Sequence, residues 1–278
     1  MDEYITRQLQ LKLLEIMKIF HDVCQKHRIT YYMLGGTMLG AVRHKGFIPW
    51  DDDMDVGMPR EDYEKLLSLH KKCWPKNIHI KTPYNSQDLI FPYSKIMDMG
   101  TTLVEDRLDG IIEGVYLDVF PLDGAGNINR FLKLRYGFYY WKQGLLYNNQ
   151  DHGEKRTVLR RAVQKYARIQ STKKLYCNVE NFMKKKTFSG SKIVGNYPGA
   201  WGLKEFVDKK VMGNPTLYDF ENCKLYGPED SDKYLKSLYG NYMQLPPIEK
   251  RKSHHRFIYL NLSMPYKEYE KSLKHRGL

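Results

Sequence analysis

Apolar residues recur three and four apart at Ile5, Leu9, Leu13, Ile16, Met17, Phe20 and Cys24. That spacing predicts a helix over residues 4–26 with one face turned to a core. The pattern then shortens. Thr30-Tyr31-Tyr32-Met33-Leu34 is rich in strand formers and enters Gly35-Gly36-Thr37, after which Thr37 to Arg43 reads as a short helix. Asp51-Asp52-Asp53-Met54-Asp55-Val56 alternates acids with apolar residues. Read as a strand, it places Asp51, Asp53 and Asp55 on one face and Asp52 on the other. Pro59 ends that strand and opens a helix to about Cys73. Further strands are expected at Ile78–Ile80 and Gly114–Leu122, with a hairpin of Phe91–Asp98 and Thr102–Glu105 around Gly100. Asp123, in Leu-Asp-Gly, is expected to cap a turn. Beyond 200 the pattern predicts a helix over Leu203–Met212, a strand over Cys223–Tyr226 and a helix over Asp230–Leu238. The polar tail from Lys267 to Leu278 is expected to fray. The sum is a mixed α/β (α+β) fold, a sheet flanked by helices.

Between these regions the character changes. Residues 128–148 interleave aromatic and basic side chains, and 151–186 carry eleven Lys or Arg against three acids. The chain therefore divides into a core over 1–125, a basic aromatic helical insert over 126–200, and a C-terminal part over 201–278 that completes the core. The net charge of +13 implies an anionic partner. The basic insert suits an anionic membrane surface or a polyanionic acceptor, or is a solvated helix face. No RNA-binding signature accompanies the charge, so nucleic acid is not the expected partner. The four cysteines are scattered without a CxxC pair, which points away from zinc and disulfides. No signal peptide and no run of eighteen apolar residues is visible, so a cytoplasmic protein is expected, peripheral on the inner face of the membrane if it meets a lipid-linked substrate.

The chemistry concentrates between Leu34 and Pro59. Carboxylates massed at Asp51, Asp53 and Asp55 repel one another, and a hard divalent cation such as Mg²⁺, with Mn²⁺ as the alternative, relieves that cost. Gly35, Gly36 and Thr37 leave backbone N–H groups bare at a helix start, a seat for a phosphate. Each piece alone has a plainer reading, a turn with a cap and a solvated acidic loop. Arg43 and His44 are phosphate contacts or a solvated basic loop; Lys95 is a phosphate contact or an edge residue. Trp50 stacks on a base or plugs the core. Asp118 is an acid inside an apolar strand, where an unpartnered carboxylate is costly. It is best explained as a further carboxylate facing Asp53 and Asp55.

Three stretches carry a resemblance: Leu34-Gly35-Gly36-Thr37; Gly40 through Trp50 with Asp51-Asp52-Asp53-Met54-Asp55-Val56; and, downstream, Tyr239-Gly240-Asn241-Tyr242-Met243, Leu245-Pro246-Pro247 and Ser253-His254-His255. In these the chain resembles the LicD family of phosphocholine transferases, within the nucleotidyltransferase-fold superfamily. The resemblance implies transfer of phosphocholine from CDP-choline, or of another phospho-alcohol such as glycerol or ribitol phosphate from its CDP-activated donor. The implied acceptor is a sugar hydroxyl of a lipid-linked or surface glycan, of lipopolysaccharide or teichoic acid type. It further implies that Asp53, Asp55 and Asp118 are catalytic and hold the metal with Asp51 in support. An RNA-acting nucleotidyltransferase is the reading from a different class.

Overall fold

The computed structural model describes residues 3–86, 91–106, 111–127, 131–149, 158–253, 255 and 257–275. Helix α1 (Glu3–His27) buries Leu9, Leu13, Ile16, Met17, Phe20 and Cys24, the expected face, while Ile5 stays exposed. Strand β1 (Tyr32–Met33) leads to α2 (Gly35–His44), then β2 (Asp55–Pro59) and α3 (Arg60–Ser68). Strands β3 (Ile78–Lys81), β4 (Ser94–Asp98), β5 (Thr102–Glu105), β6 (Ile112–Glu113) and β7 (Tyr116–Gly126) follow.

The main sheet runs β1-β2-β7-β4-β3. β2 and β7 are parallel and the other pairs antiparallel. Val56, Met58, Leu117 and Val119 are buried on one face of the central strands and Phe120 and Leu122 on the other; α1 and α3 pack against β7. Register matters most here. Asp118 of β7 pairs with Asp55 of β2 on one side and with Lys95 of β4 on the other.

Several expectations are corrected. The acidic strand begins at Asp55, and residues 51–54 are irregular. Gln10 holds that segment, donating from Nε2 to the carbonyls of Ile48 (3.1 Å) and Asp51 (2.8 Å). β4 and β5 do not form a hairpin: β4 lies in the main sheet, and β5 lies between β6 and β12 (Phe257–Asn261) in a separate sheet. The turn between them is tied elsewhere. Asp98 Oδ1 accepts from Asn77 Nδ2 and Gly100 N, and Val115 N donates to Thr101 Oγ1. Asp123 does not cap a turn; it is fully buried and accepts a two-pronged ion pair from Arg60, at 2.8 and 2.5 Å.

The basic aromatic segment forms α4 (Leu132–Asn149), α5 (Val158–Ile169) and α6 (Thr172–Lys184). A second apolar cluster includes Tyr139, Leu146, Val179 and Met183 from α4 and α6, with Ala125 of β7 and Tyr197. Arg60 Nη1 reaches Glu180 of α6 at 3.6 Å, joining helices to sheet. The chain rejoins the sheet at β8 (Ile193–Gly195), which pairs with the end of β7 and with β9 (Phe206–Asp208). The helix expected over Leu203–Met212 is therefore a 3₁₀ turn, β9 and the short α7 (Lys209–Met212), because Val207 extends the sheet opposite Val194. β10 (Thr216–Phe220) and β11 (Cys223–Gly227) make a hairpin, followed by α8 (Ser231–Tyr239). The described part of the tail forms α9 (Tyr266–His275), with Tyr269 stacked on Tyr259 at 4.3 Å.

Candidate active site

The N-terminus of α2 faces the acids. Gly35 has a φ of +49°, and a Cβ there would lie 3.5 Å from Asp55 Oδ2; on Gly36 it would lie 2.6 Å from Asp51 Oδ2. Glycine is needed at Gly35 for the left-handed backbone and at Gly36 for the close approach. The positive end of α2 thereby offsets part of the carboxylate repulsion. Thr37 is buried and its Oγ1 accepts from Asp55 N at 2.8 Å, which fixes the start of β2. The glycine N–H groups are only partly open to a phosphate, since Gly35 N donates to the Tyr234 hydroxyl at 3.1 Å.

Asp51, Asp52 and Asp53 each offer an oxygen within 4.8 Å of the others. Asp55 and Asp118 adjoin them through the strand register. Burial first, and then Asp53 and Asp52, push Asp51 well above the ordinary carboxylate range. Burial, then Asp53, Asp118 and Asp51, do the same to Asp55. Asp118 is pushed up to about 7 by burial, with Lys95 opposing and Asp53 and Glu113 adding. Its Oδ1 is buried and, among the described residues, has no hydrogen-bond partner.

Asp52 has a different environment. Ser253 Oγ and the His255 backbone N (3.3 Å) donate to its Oδ2, and His255 Nδ1 donates to its Oδ1 (3.0 Å). Burial opposes its charge, but these bonds outweigh it and hold its pKa below the usual value. His255 is the counterpart: burial lowers it, yet Asp52 and Asp53 raise it to about 9. This pair is the functional feature missed in the sequence. Two adjacent histidines were visible, but no ligand spacing pointed to a partner 203 positions away. His254 lies outside the described residues. A cleft of about 1010 Å³ opens beside Ser253 and His255, walled by Tyr4, Trp50, Arg251 and Tyr259.

The basic residues divide. Arg43 donates from Nη1 to the Tyr242 carbonyl at 2.7 Å, and burial lowers its pKa. His44 is lowered by burial and then by Arg43, and its ring lies 6.3 Å from Trp50. Both sit at the far end of α2 from the glycines. Lys95 is buried and donates to Glu113 Oε1 at 2.7 Å, with its ammonium 3.4 Å from the Tyr116 ring centroid. Lys81 holds the other Glu113 oxygen at 2.9 Å. Lys95 therefore faces Asp118 as a neighbouring charge and is committed to Glu113.

Crowded carboxylates with raised pKa values and an orphaned buried oxygen fit a hard divalent cation. Parallel strands bearing these acids beside a glycine-opened helix suit the handling of a metal-bound phosphate. Residues 28–103 match the family described as LicD/FKTN/FKRP, nucleotidyltransferase domain. Across 92% of its length the chain is 28% identical to the lipopolysaccharide cholinephosphotransferase LicD of Haemophilus influenzae, of which 97% is covered. It is 40% identical to the human ribitol 5-phosphate transferase FKRP over 45% of this chain and 31% of that one. The chain is thus similar to the LicD family over residues 28–103 and to one cholinephosphotransferase along nearly its full length. Among the described residues no helix is long and apolar enough to cross a membrane.

Proposed function

We propose that this protein is a Mg²⁺-dependent transferase, Mn²⁺ being the alternative metal. It moves phosphocholine from CDP-choline to a sugar hydroxyl of a surface or lipid-linked glycan, of lipopolysaccharide or teichoic acid type. The observation that carries the reading is the pairing of Asp55 with Asp118 on adjacent strands, with Asp118 Oδ1 buried and unpaired. Similarity to a lipopolysaccharide cholinephosphotransferase along nearly the whole chain supports the substituent. Similarity to a ribitol 5-phosphate transferase supports a second reading, in which another CDP-activated phospho-alcohol, glycerol or ribitol phosphate, is the donor.

Asp51, Asp53, Asp55 and Asp118 would hold the cation, whose chemistry there is to neutralise charge on the donor phosphates and the departing CMP. The chain's own groups do the rest. Asp118, on the strand beside Asp55, accepts the proton of the attacking hydroxyl. Protonated His255 sets a positive charge beside the acids and fixes Asp52. Gly36 and Thr37 begin a helix whose positive end faces the incoming phosphate.

We place the protein on the cytoplasmic face of the membrane. On α4, Leu134 (61% exposed), Phe138 (52%) and Trp141 (58%) recur four and three apart and form one outward stripe. Exposed Lys133 lies beside it, and the Lys142 ammonium is 5.8 Å from the Trp141 ring centroid. A large apolar stripe rimmed by lysines suits an anionic bilayer, with rings inserted and ammoniums at the head groups.

Purified protein incubated with CDP-choline, CDP-glycerol and CDP-ribitol, with a glycan acceptor, tests the activity. The expected result is CMP release that EDTA abolishes, fastest with CDP-choline. Release from none of the three, or release indifferent to EDTA, removes the proposal.

A further inference from the structure

Trp201 takes no part in the chemistry above. It is 44% exposed. Its ring meets that of Tyr239 at 81°, with centroids 4.8 Å apart. The rings touch edge to face, so Trp201 and Tyr239 present adjoining faces at right angles. Tyr239 ties that corner to the acids: a Cβ on Gly35 would lie 3.7 Å from the Tyr239 hydroxyl and 3.5 Å from Asp55 Oδ2. One residue thus borders the phosphate chemistry at its hydroxyl end and Trp201 at its ring.

Behind the corner lies Glu205. It is 6% exposed, and its Oε1 accepts from Trp201 N at 3.2 Å. Among the described residues it makes no ion pair. A buried carboxylate without a cation is costly. Tyr136 adds a third ring, since a Cβ on Gly202, where φ is +61°, would lie 3.4 Å from its hydroxyl. The Lys204 ammonium already stands 5.8 Å from the Trp201 ring centroid, near the limit of cation–π attraction.

We propose that Trp201, Tyr239 and Glu205 form a head-group subsite that receives the quaternary ammonium of the transferred substituent. This rests on the transferase reading and adds to it the group that selects the donor. The geometry suits the chemistry of choline, whose trimethylammonium lies two carbons beyond the phosphate oxygen. Methyl groups on the nitrogen exclude hydrogen bonds, so recognition falls to ring faces and to a carboxylate at a distance. A glycerol or ribitol chain carries hydroxyls instead and gains little from an aromatic corner.

The test is calorimetric binding to the full chain in Mg²⁺, with phosphocholine, glycerol phosphate and CMP as probes. Wild type is expected to bind phosphocholine more tightly than glycerol phosphate. Trp201→Ala should lose about tenfold in phosphocholine affinity and keep its affinity for CMP, and Trp201→Phe should recover most of that loss. Equal binding of the two phosphates by wild type, no phosphocholine binding at all, an unchanged phosphocholine affinity in Trp201→Ala, or a parallel loss for CMP each overturns the subsite. Binding is read without turnover. Failure of CMP release from every CDP-alcohol therefore counts against the transferase reading, while the subsite stands or falls on the titrations.

Discussion

Gly36 and Asp51 meet where α2 opens, so closely that a Cβ on Gly36 would lie 2.6 Å from Asp51 Oδ2. Alanine is otherwise the better helix residue by about 1 kcal/mol. Gly36→Ala should therefore keep the fold, as seen in an unshifted thermal melt, and push the Asp51 carboxylate aside. A displacement of this kind costs on the order of a hundredfold in turnover. Unchanged CMP release would show that the position of Asp51 is not critical.

The acid cluster makes a prediction about metal and pH. Asp51, Asp55 and Asp118 bind protons more tightly folded than unfolded, Asp118 with a folded pKa of about 7. Their contribution to stability is full below the unfolded carboxylate range and is lost as pH rises through the folded values. Metal-free protein should melt at lower temperature as pH rises from about 5 to about 7, and Mg²⁺ should flatten that slope. Asp118→Asn should raise the metal-free melting temperature and abolish transfer. A lower melting temperature in the variant would mark Asp118 as structural.

His255 acts over a higher window. Its folded pKa of about 9 exceeds the ordinary 6.5, so its contribution is full below 6.5 and fades as pH rises through 9. Wild type should lose stability across that interval and His255→Gln should show a shallower trend. Parallel pH profiles for the two proteins would remove the His255–Asp52 pair as a source of stability.

Lys95 distinguishes two roles. Lys95→Met would strip one cation from buried Glu113 and leave Lys81 on its other oxygen, a loss of about 3 kcal/mol for a broken buried pair. Urea unfolding should show it. A phosphate contact would instead raise KM for the donor with stability unchanged.

The α4 stripe predicts membrane binding. Leu134→Ser, Phe138→Ser and Trp141→Ser combined should reduce co-sedimentation with anionic liposomes more than tenfold, since each buried side chain contributes about 1.5–3 kcal/mol. Turnover of a soluble acceptor should be unchanged. Equal sedimentation of variant and parent would return the stripe to plain surface.

What could be read from the chain were features with local causes. The face of α1 follows from its own spacing, and Asp118 drew notice because one acid interrupts an apolar strand. What escaped depended on partners far along the chain. β5 looked like the return arm of a hairpin because Gly100 is adjacent, whereas β12 pairs with it from more than 150 residues away. The alternation of acids suggested a strand from Asp51, but Gln10 holds that stretch off the ladder. Asp123 sits in a sequence that fits a turn, and its partner Arg60 follows Pro59 with no mark of its role. Lys95 looked like an edge cation because nothing nearby announces Glu113.

Arg60 also bears on modularity. Its guanidinium binds Asp123, five positions beyond Asp118 on the same strand, and reaches Glu180 in the helical segment. Ala125, Ile193 and Phe206, all from the sheet, fill the same apolar cluster as Tyr139 and Val179. The helices are therefore not a cassette clipped onto a finished enzyme. Grafting a relative's helices onto this sheet would succeed only with a carboxylate where Glu180 stands and a matching apolar underside. Any change to the helices in such chimaeras would reach the footing of the strand that carries Asp118.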